Sequence, residues 1–211
     1  MLECPTGTPL NATLGVNMNP LSVPEVENLR ALVLENASEL LAEAKLLFDH
    51  AKYARACALA HLSSEELAKL PMSAEVGIDL LKGHPIDWKK FDKKLTSHLA
   101  KLKVLLFVDL LGTPTDPTIR EIQVHKLTMS RIELFNVLKN ATLYAGVNQD
   151  GLYKPNALFI QAYAKSALTL STNRLELFTE VEANTRGRLM QLANSSSYMK
   201  LLKTLRTGDD G

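Results

Sequence analysis

Ala51, Ala54, Ala58 and Leu62 recur at intervals of three and four residues, which stacks them on one face of a helix. A stripe of such small side chains lets a neighbouring helix approach closely. The segment must therefore lie inside a packed helical assembly rather than on its surface. The same periodicity predicts a helix from about Tyr53 to Leu70, followed by Pro71, which is expected to disturb it.

The flanking sequence has the same character. Residues 1–20 are dense in Pro, Gly and Asn and predict an irregular arm. Ser22-Val23-Pro24-Glu25 reads as a capping box. Leu29, Leu32, Val33, Ala37, Leu40, Leu41, Ala44, Leu47 and Phe48 then continue a helix to about His50. Gly83-His84-Pro85 is a loop. Asp87 caps a third helix that runs through Trp88, Phe91, Leu95, Leu99 and Leu102 to Leu111, with Gly112 at its end. Asp116-Pro117 starts a fourth helix reaching about Ala145, and Asn148-Gln149-Asp150-Gly151 is a turn. Asn156 caps a fifth helix to about Ala183, and a sixth covers Arg188 to Leu205. No strand stands out. Long helices joined by short loops predict an all-α antiparallel bundle.

Charge and length narrow the function classes. With 24 Lys plus Arg against 23 Asp plus Glu, the net charge of +1 supplies no global attraction to nucleic acid or anionic membrane, so any RNA contact depends on a local patch. The most apolar run, residues 104–111, contains Asp109 and falls far short of the roughly 20 residues that span a bilayer. Without a signal-peptide pattern, and with a disulfide between Cys4 and Cys57 disfavoured, the reading is a cytoplasmic chain in a reducing compartment, with no membrane partner.

The richest segment for chemistry is the second helix. Cys57, His61 and Glu65 are spaced by four and share a face; this set reads as a metal site or, preferably, as a partly buried face with a hydrogen-bonded histidine. Arg55 and Glu66 are eleven residues apart and point the same way. Glu65-Glu66 can serve as a general base, but an internal ion-pair role is preferred. In the fourth helix Arg131 falls within the apolar stripe of Leu127, Leu134, Leu138, Ala141 and Ala145. A buried arginine needs a carboxylate, so Arg131 is expected to pair with Glu65 or Glu66. Arg55-x5-His61 and Arg120-x4-His125 are spacings that can hold a phosphate and move a proton, yet with five histidines in the chain such pairs arise by chance. His50, His84 and His98 read as surface or loop residues. Trp88, Phe91 and Leu95 are expected to face the core while Lys89, Lys90, Lys93 and Lys94 face solvent. Nucleotide-loop, dinucleotide and zinc motifs are missing, and no cofactor or metal is expected.

Taken in order, several of these segments resemble one family. Asn36-Ala37-x-Glu39-Leu40-Leu41-x-x-Ala44-x-Leu46-Leu47, then Tyr53-Ala54-Arg55-Ala56-x-Ala58-Leu59-Ala60 and Glu65-Glu66-Leu67-x-Lys69, are similar to the first hairpin of AbiV-type HEPN proteins, with Ala68 where that family has glycine. Trp88-x-x-Phe91-x6-His98-x-x-Lys101 resembles the family's aromatic-then-His-Lys element. Lys139-Asn140-x-x-Leu143-Tyr144, with Tyr153-x-Pro155, resembles its closing element. The resemblance covers roughly residues 30–155 and implies an HEPN bundle, often dimeric, in proteins of abortive phage infection. Many HEPN proteins are metal-independent ribonucleases with an Arg-x4-6-His motif. Here Lys139, Asn140 and Tyr144 occupy that place, and tyrosine, with an ordinary pKa near 10 against about 6.5 for histidine, is a poor base at neutral pH.

These readings combine into one expectation: an irregular arm at 1–20, an HEPN-like bundle at 21–155, C-terminal helices packing on it at 156–206, and a tail at 207–211. The resemblance implies a phage-defence protein acting on RNA or translation, or else a non-catalytic module binding a protein or a nucleotide. It also implies a homodimer and an RNA, phage-protein or host-protein partner. Lys139, Asn140 and Tyr144 would contact phosphate, with Glu65, Glu66, Arg55, His61, His98 and Arg131 in support. For that to hold, the alanine-lined hairpin must pack against the segment ending at Tyr144.

Overall fold

A computed structural model describes residues 19–111, 137–185, 187, 189–194 and 196. Helix α1 spans Val23–Asp49, α2 Tyr53–Leu67, α3 Lys69–Leu81, α4 Trp88–Thr96 and α5 His98–Leu111. A helical segment at 137–143 (α6) precedes a two-stranded hairpin, β1 Gly146–Asn148 and β2 Gly151–Tyr153, and then come α7 Pro155–Leu158, α8 Gln161–Thr185 and α9 Leu189–Asn194. The architecture is all-α apart from this small antiparallel hairpin, in which Val147 faces Leu152.

Helix α1 begins where the sequence indicates. The Ser22 backbone N–H donates to Glu25 Oε2 at 2.7 Å, closing the capping box. Its stripe of Val26, Val33, Ala37, Leu41 and Ala44 is buried against α2, α3 and α8. Helix α2 is the centre of the bundle. Packed between α1 and α8, it buries Ala54, Ala56, Ala58 and Ala60, alanines on more than one side, because both neighbours approach closely. Ala51 departs from the expected stripe: it lies in the α1–α2 turn at φ 56°, left-handed backbone that alanine adopts only under tertiary constraint.

Two expected helices are each divided. The helix beginning at Tyr53 ends at Leu67, and α3 starts at Lys69 with Pro71 in its first turn. Proline is tolerated there because the missing N–H has no helical partner to lose, so Pro71 opens a new helix instead of merely ending one. The expected helix over 87–111 is broken at Ser97, whose extended backbone ends α4. Ser97 Oγ then accepts the Ala100 N–H at 3.2 Å and starts α5. Likewise the helix expected from Asn156 is a short α7 followed by α8.

Phe91 and Leu95 are buried, Trp88 packs edge-on to Phe91 at 6.2 Å, and Lys89, Lys90 and Lys93 are exposed. Helix α8 completes the core rather than decorating it: Ala164, Leu168, Phe178, Arg174 and Glu182 are buried along its length. Arg30, in the apolar stripe of α1, donates to Glu182 Oε1 at 2.6 Å and lies 3.3 Å from Glu27. Arg174 holds Asp109 with two parallel bonds, tying α8 to α5. No helix among the described residues is long and apolar enough to cross a membrane.

Candidate functional site

Glu65 is the focus of the molecule's most concentrated polar chemistry. Its side chain is only 1% exposed, yet four nitrogens surround it. His61, one turn earlier on α2, brings Nε2 to 3.2 Å from Oε1, the helical i, i+4 relation made geometric. The break at Ser97 sets His98 at the first position of α5, where its Nδ1 lies 2.5 Å from Glu65 Oε2. Lys101, one turn further along α5, reaches the same oxygen at 3.2 Å. Lys139 on α6 approaches Oε1 at 3.8 Å. Three elements from distant parts of the chain therefore converge on one carboxylate.

Burial alone would raise the Glu65 carboxyl. Hydrogen bonds from His61 and His98, and the charge of Lys101, more than offset it and hold the group at about 2. Glu65 is therefore ionised at neutral pH and accepts only, so the facing nitrogens of His61 and His98 carry the protons. With Nδ1–H of His98 fixed on the carboxylate, the neutral imidazole has its Nε2 lone pair free to act as a base, and the ring is half exposed (51%). This is the carboxylate–imidazole arrangement that orients a histidine for proton transfer. Glu65, at about 2, is itself too weak a base to take a proton at neutral pH, so its part is to orient and to balance charge.

Beside the cluster lies a cavity of about 330 Å³ between α2, α6 and the α7–α8 turn, with Cys57, His61, Lys139, Phe159 and Tyr163 among its walls. Burial pushes the Cys57 thiol up to about 11, so it is protonated at neutral pH.

The structure divides the residues singled out from the sequence. It brings His61, Glu65, His98 and Lys139 together. His98, read from sequence as a surface or loop residue without a partner, has one in Glu65. Glu66 turns away and pairs with Lys69 at 2.5 Å. Arg55 stands exposed on α2, and Asn140 and Tyr144 are exposed, Tyr144 by 64%. Arg131, Arg120 and His125 lie outside the described residues. Cys57, His61 and Glu65 do share a helix face, but Glu65 is engaged by nitrogens, and no group of three metal-ligand side chains is arranged around an ion position among the described residues. His50 bonds to the Leu46 carbonyl and His84 to Asp79, both on the surface.

Lys101 and Arg30 were missed as functional or structural charges. Lys101 is three residues from His98, a helical neighbour, and Arg30 falls in the stripe between Val26 and Val33. The reasoning applied to Arg131 was available at Arg30 too.

An all-α bundle with a Glu–His–Lys cluster drawn from a central hairpin and a later helix is the arrangement of an HEPN-type protein. A family model described as AbiV, of the HEPN class, matches residues 25–176, most of the chain and every residue of the cluster. The chain belongs to the AbiV family of HEPN proteins. No curated protein and no solved structure matches it.

Proposed function

We propose that this chain is an abortive-infection protein of phage defence that acts on RNA as a metal-independent ribonuclease, with Glu65 and His98 as its proton-transfer pair. The observation that carries this is the 2.5 Å contact of His98 Nδ1 with a buried, ionised Glu65, beside a half-exposed imidazole face. His98 Nε2 takes the proton of a ribose 2′-hydroxyl. The 2′-oxygen bonds to the adjacent phosphorus, the bond from phosphorus to the 5′-oxygen breaks, and that oxygen takes a proton from Tyr144 or water. The products are a 2′,3′-cyclic phosphate and a 5′-hydroxyl. Lys101 and Lys139 offset the charge that builds on the phosphoryl oxygens, and Asn140 contacts the phosphate. Tyr144, poor as a base, is suited to donating a proton. The chain works in the cytoplasm as a homodimer.

A second reading, a non-catalytic module that binds a protein or a nucleotide, is favoured by Tyr144 standing where the family motif has histidine, and by the near-burial of Lys101 and Lys139. One experiment separates the two. Purified protein is incubated with total RNA, alongside His98→Ala, Lys139→Ala and Tyr144→Phe variants. Cleavage reduced by about 10²–10⁴-fold in His98→Ala supports the enzyme. Absence of cleavage by the wild type at high protein concentration rejects it in favour of the binding module. Phage plating on cells expressing the wild type and His98→Ala tests the defence role in the same way.

A further inference from the structure

The cavity next to Glu65 has walls of two kinds. On one side His61 and Lys139, both already drawn to Glu65, present nitrogen; on the other, Phe159 and Tyr163 form an edge-to-face pair with ring centroids 6.3 Å apart. None of its described lining residues is acidic, which disfavours a cationic occupant. Its volume of about 330 Å³ falls within the range of small-ligand pockets. The occupant that matches has a flat apolar body and an anionic group at one end. We infer that the cavity takes the base of a nucleotide whose phosphate rests against His61 and Lys139, so that Tyr163 and Phe159 select an unpaired nucleotide next to the bond that is cut. This rests on the ribonuclease reading for the position of the cut, though not for the binding itself.

The geometry favours stacking over reading of the base edge. Thr142, also in the wall, already has its hydroxyl tied to the Lys139 carbonyl at 2.6 Å. Recognition by aromatic faces tolerates any base and demands only that the base be unstacked. A duplex, whose bases are held in their stacks, is excluded. Such a pocket would confine the protein to loops and single strands.

The test uses the full chain and fluorescence anisotropy with a labelled ten-nucleotide single strand and the same strand in a duplex. Tyr163 is 62% exposed, so Tyr163→Ala removes a wall with little risk to the fold. Ala167→Phe fills the cavity from α8. Each is expected to weaken single-strand binding about tenfold, to leave duplex binding unchanged and to keep the far-ultraviolet circular dichroism of the wild type. Affinity within about twofold in both folded variants overturns the inference, as does binding of dodecanoate without binding of any nucleotide. Adenosine and uridine 5′-monophosphates are titrated in parallel. Affinity equal to the strand's assigns a free nucleotide, and much weaker affinity assigns a residue of RNA; either upholds the pocket.

Failure of the two readings is distinguishable. If RNA is cut and both variants keep the wild-type KM, the pocket falls and the ribonuclease stands. If nothing is cut yet both variants weaken binding, the reverse holds.

Discussion

His98 Nδ1 and Glu65 Oε2 lie 2.5 Å apart although 33 residues separate them in sequence, and the contact depends on a helix break at Ser97. Had the helix begun at Trp88 continued straight to Leu111, His98 would have no turn-specific position from which to meet α2. The break also places Lys101 one turn further along the same face, so one capping serine delivers two of the four nitrogens around Glu65.

The first prediction concerns acid stability. Glu65 titrates at about 2 in the folded chain against an ordinary 4.5. A lowered pKa stabilises the fold above the unfolded value, and that contribution is lost as pH falls from 4.5 towards 2. Glu65→Gln is expected to cost about 3 kcal/mol at neutral pH, since it leaves His61, His98, Lys101 and Lys139 around a neutral group. The gap between wild type and variant should close as pH falls through that window. Urea unfolding across the acid range measures it; a gap independent of pH would contradict the assigned pKa.

Arg30 and Glu182 form a buried pair at 2.6 Å, 152 residues apart. Arg30→Met strands a buried carboxylate on α8 and is expected to cost about 3–5 kcal/mol. Adding Glu182→Leu should recover most of that loss, because an apolar pair of similar volume leaves no uncompensated charge. A double-mutant cycle in denaturant decides it, and additive losses would show that the two side chains do not depend on each other.

A third prediction tests how tightly α9 docks on α3. A Cβ at Gly77 would meet Leu189 Cδ1 at 2.4 Å and Val26 Cγ1 at 3.3 Å. Alanine in an exposed helix interior normally stabilises relative to glycine by about 1 kcal/mol. Leu189, however, is fully buried, so Gly77→Ala is expected to destabilise by about 1–3 kcal/mol. Gly77→Ala with Leu189→Val should regain part of it. A rise in Tm for the single variant would mean that Leu189 rotates away at no cost.

Cys57 gives a chemical readout of its surroundings. Held at about 11 by burial, its thiol is expected to react with iodoacetamide much more slowly at neutral pH than a free cysteine does, with the rate climbing towards pH 11. Mass spectrometry after timed alkylation of the folded chain checks it; labelling of Cys57 at the rate of an exposed thiol would contradict its burial.

The sequence determined the local structure and part of the site. Helical periodicity defined the first two helices, Ser22–Glu25 capped the first, the order of motifs resembled AbiV, and His61 with Glu65 followed from a spacing of four. All of these depend on residues within a turn or two of one another. The tertiary structure decided the rest: that Pro71 opens a helix, that Ser97 breaks one, that Glu66 pairs with Lys69 while Glu65 gathers His98, Lys101 and Lys139, and that Arg30 meets Glu182. Two adjacent glutamates have the same local propensities. Only the helices packed around α2 determine which of them loses water, and a carboxylate that loses water must find its cations wherever in the chain they lie.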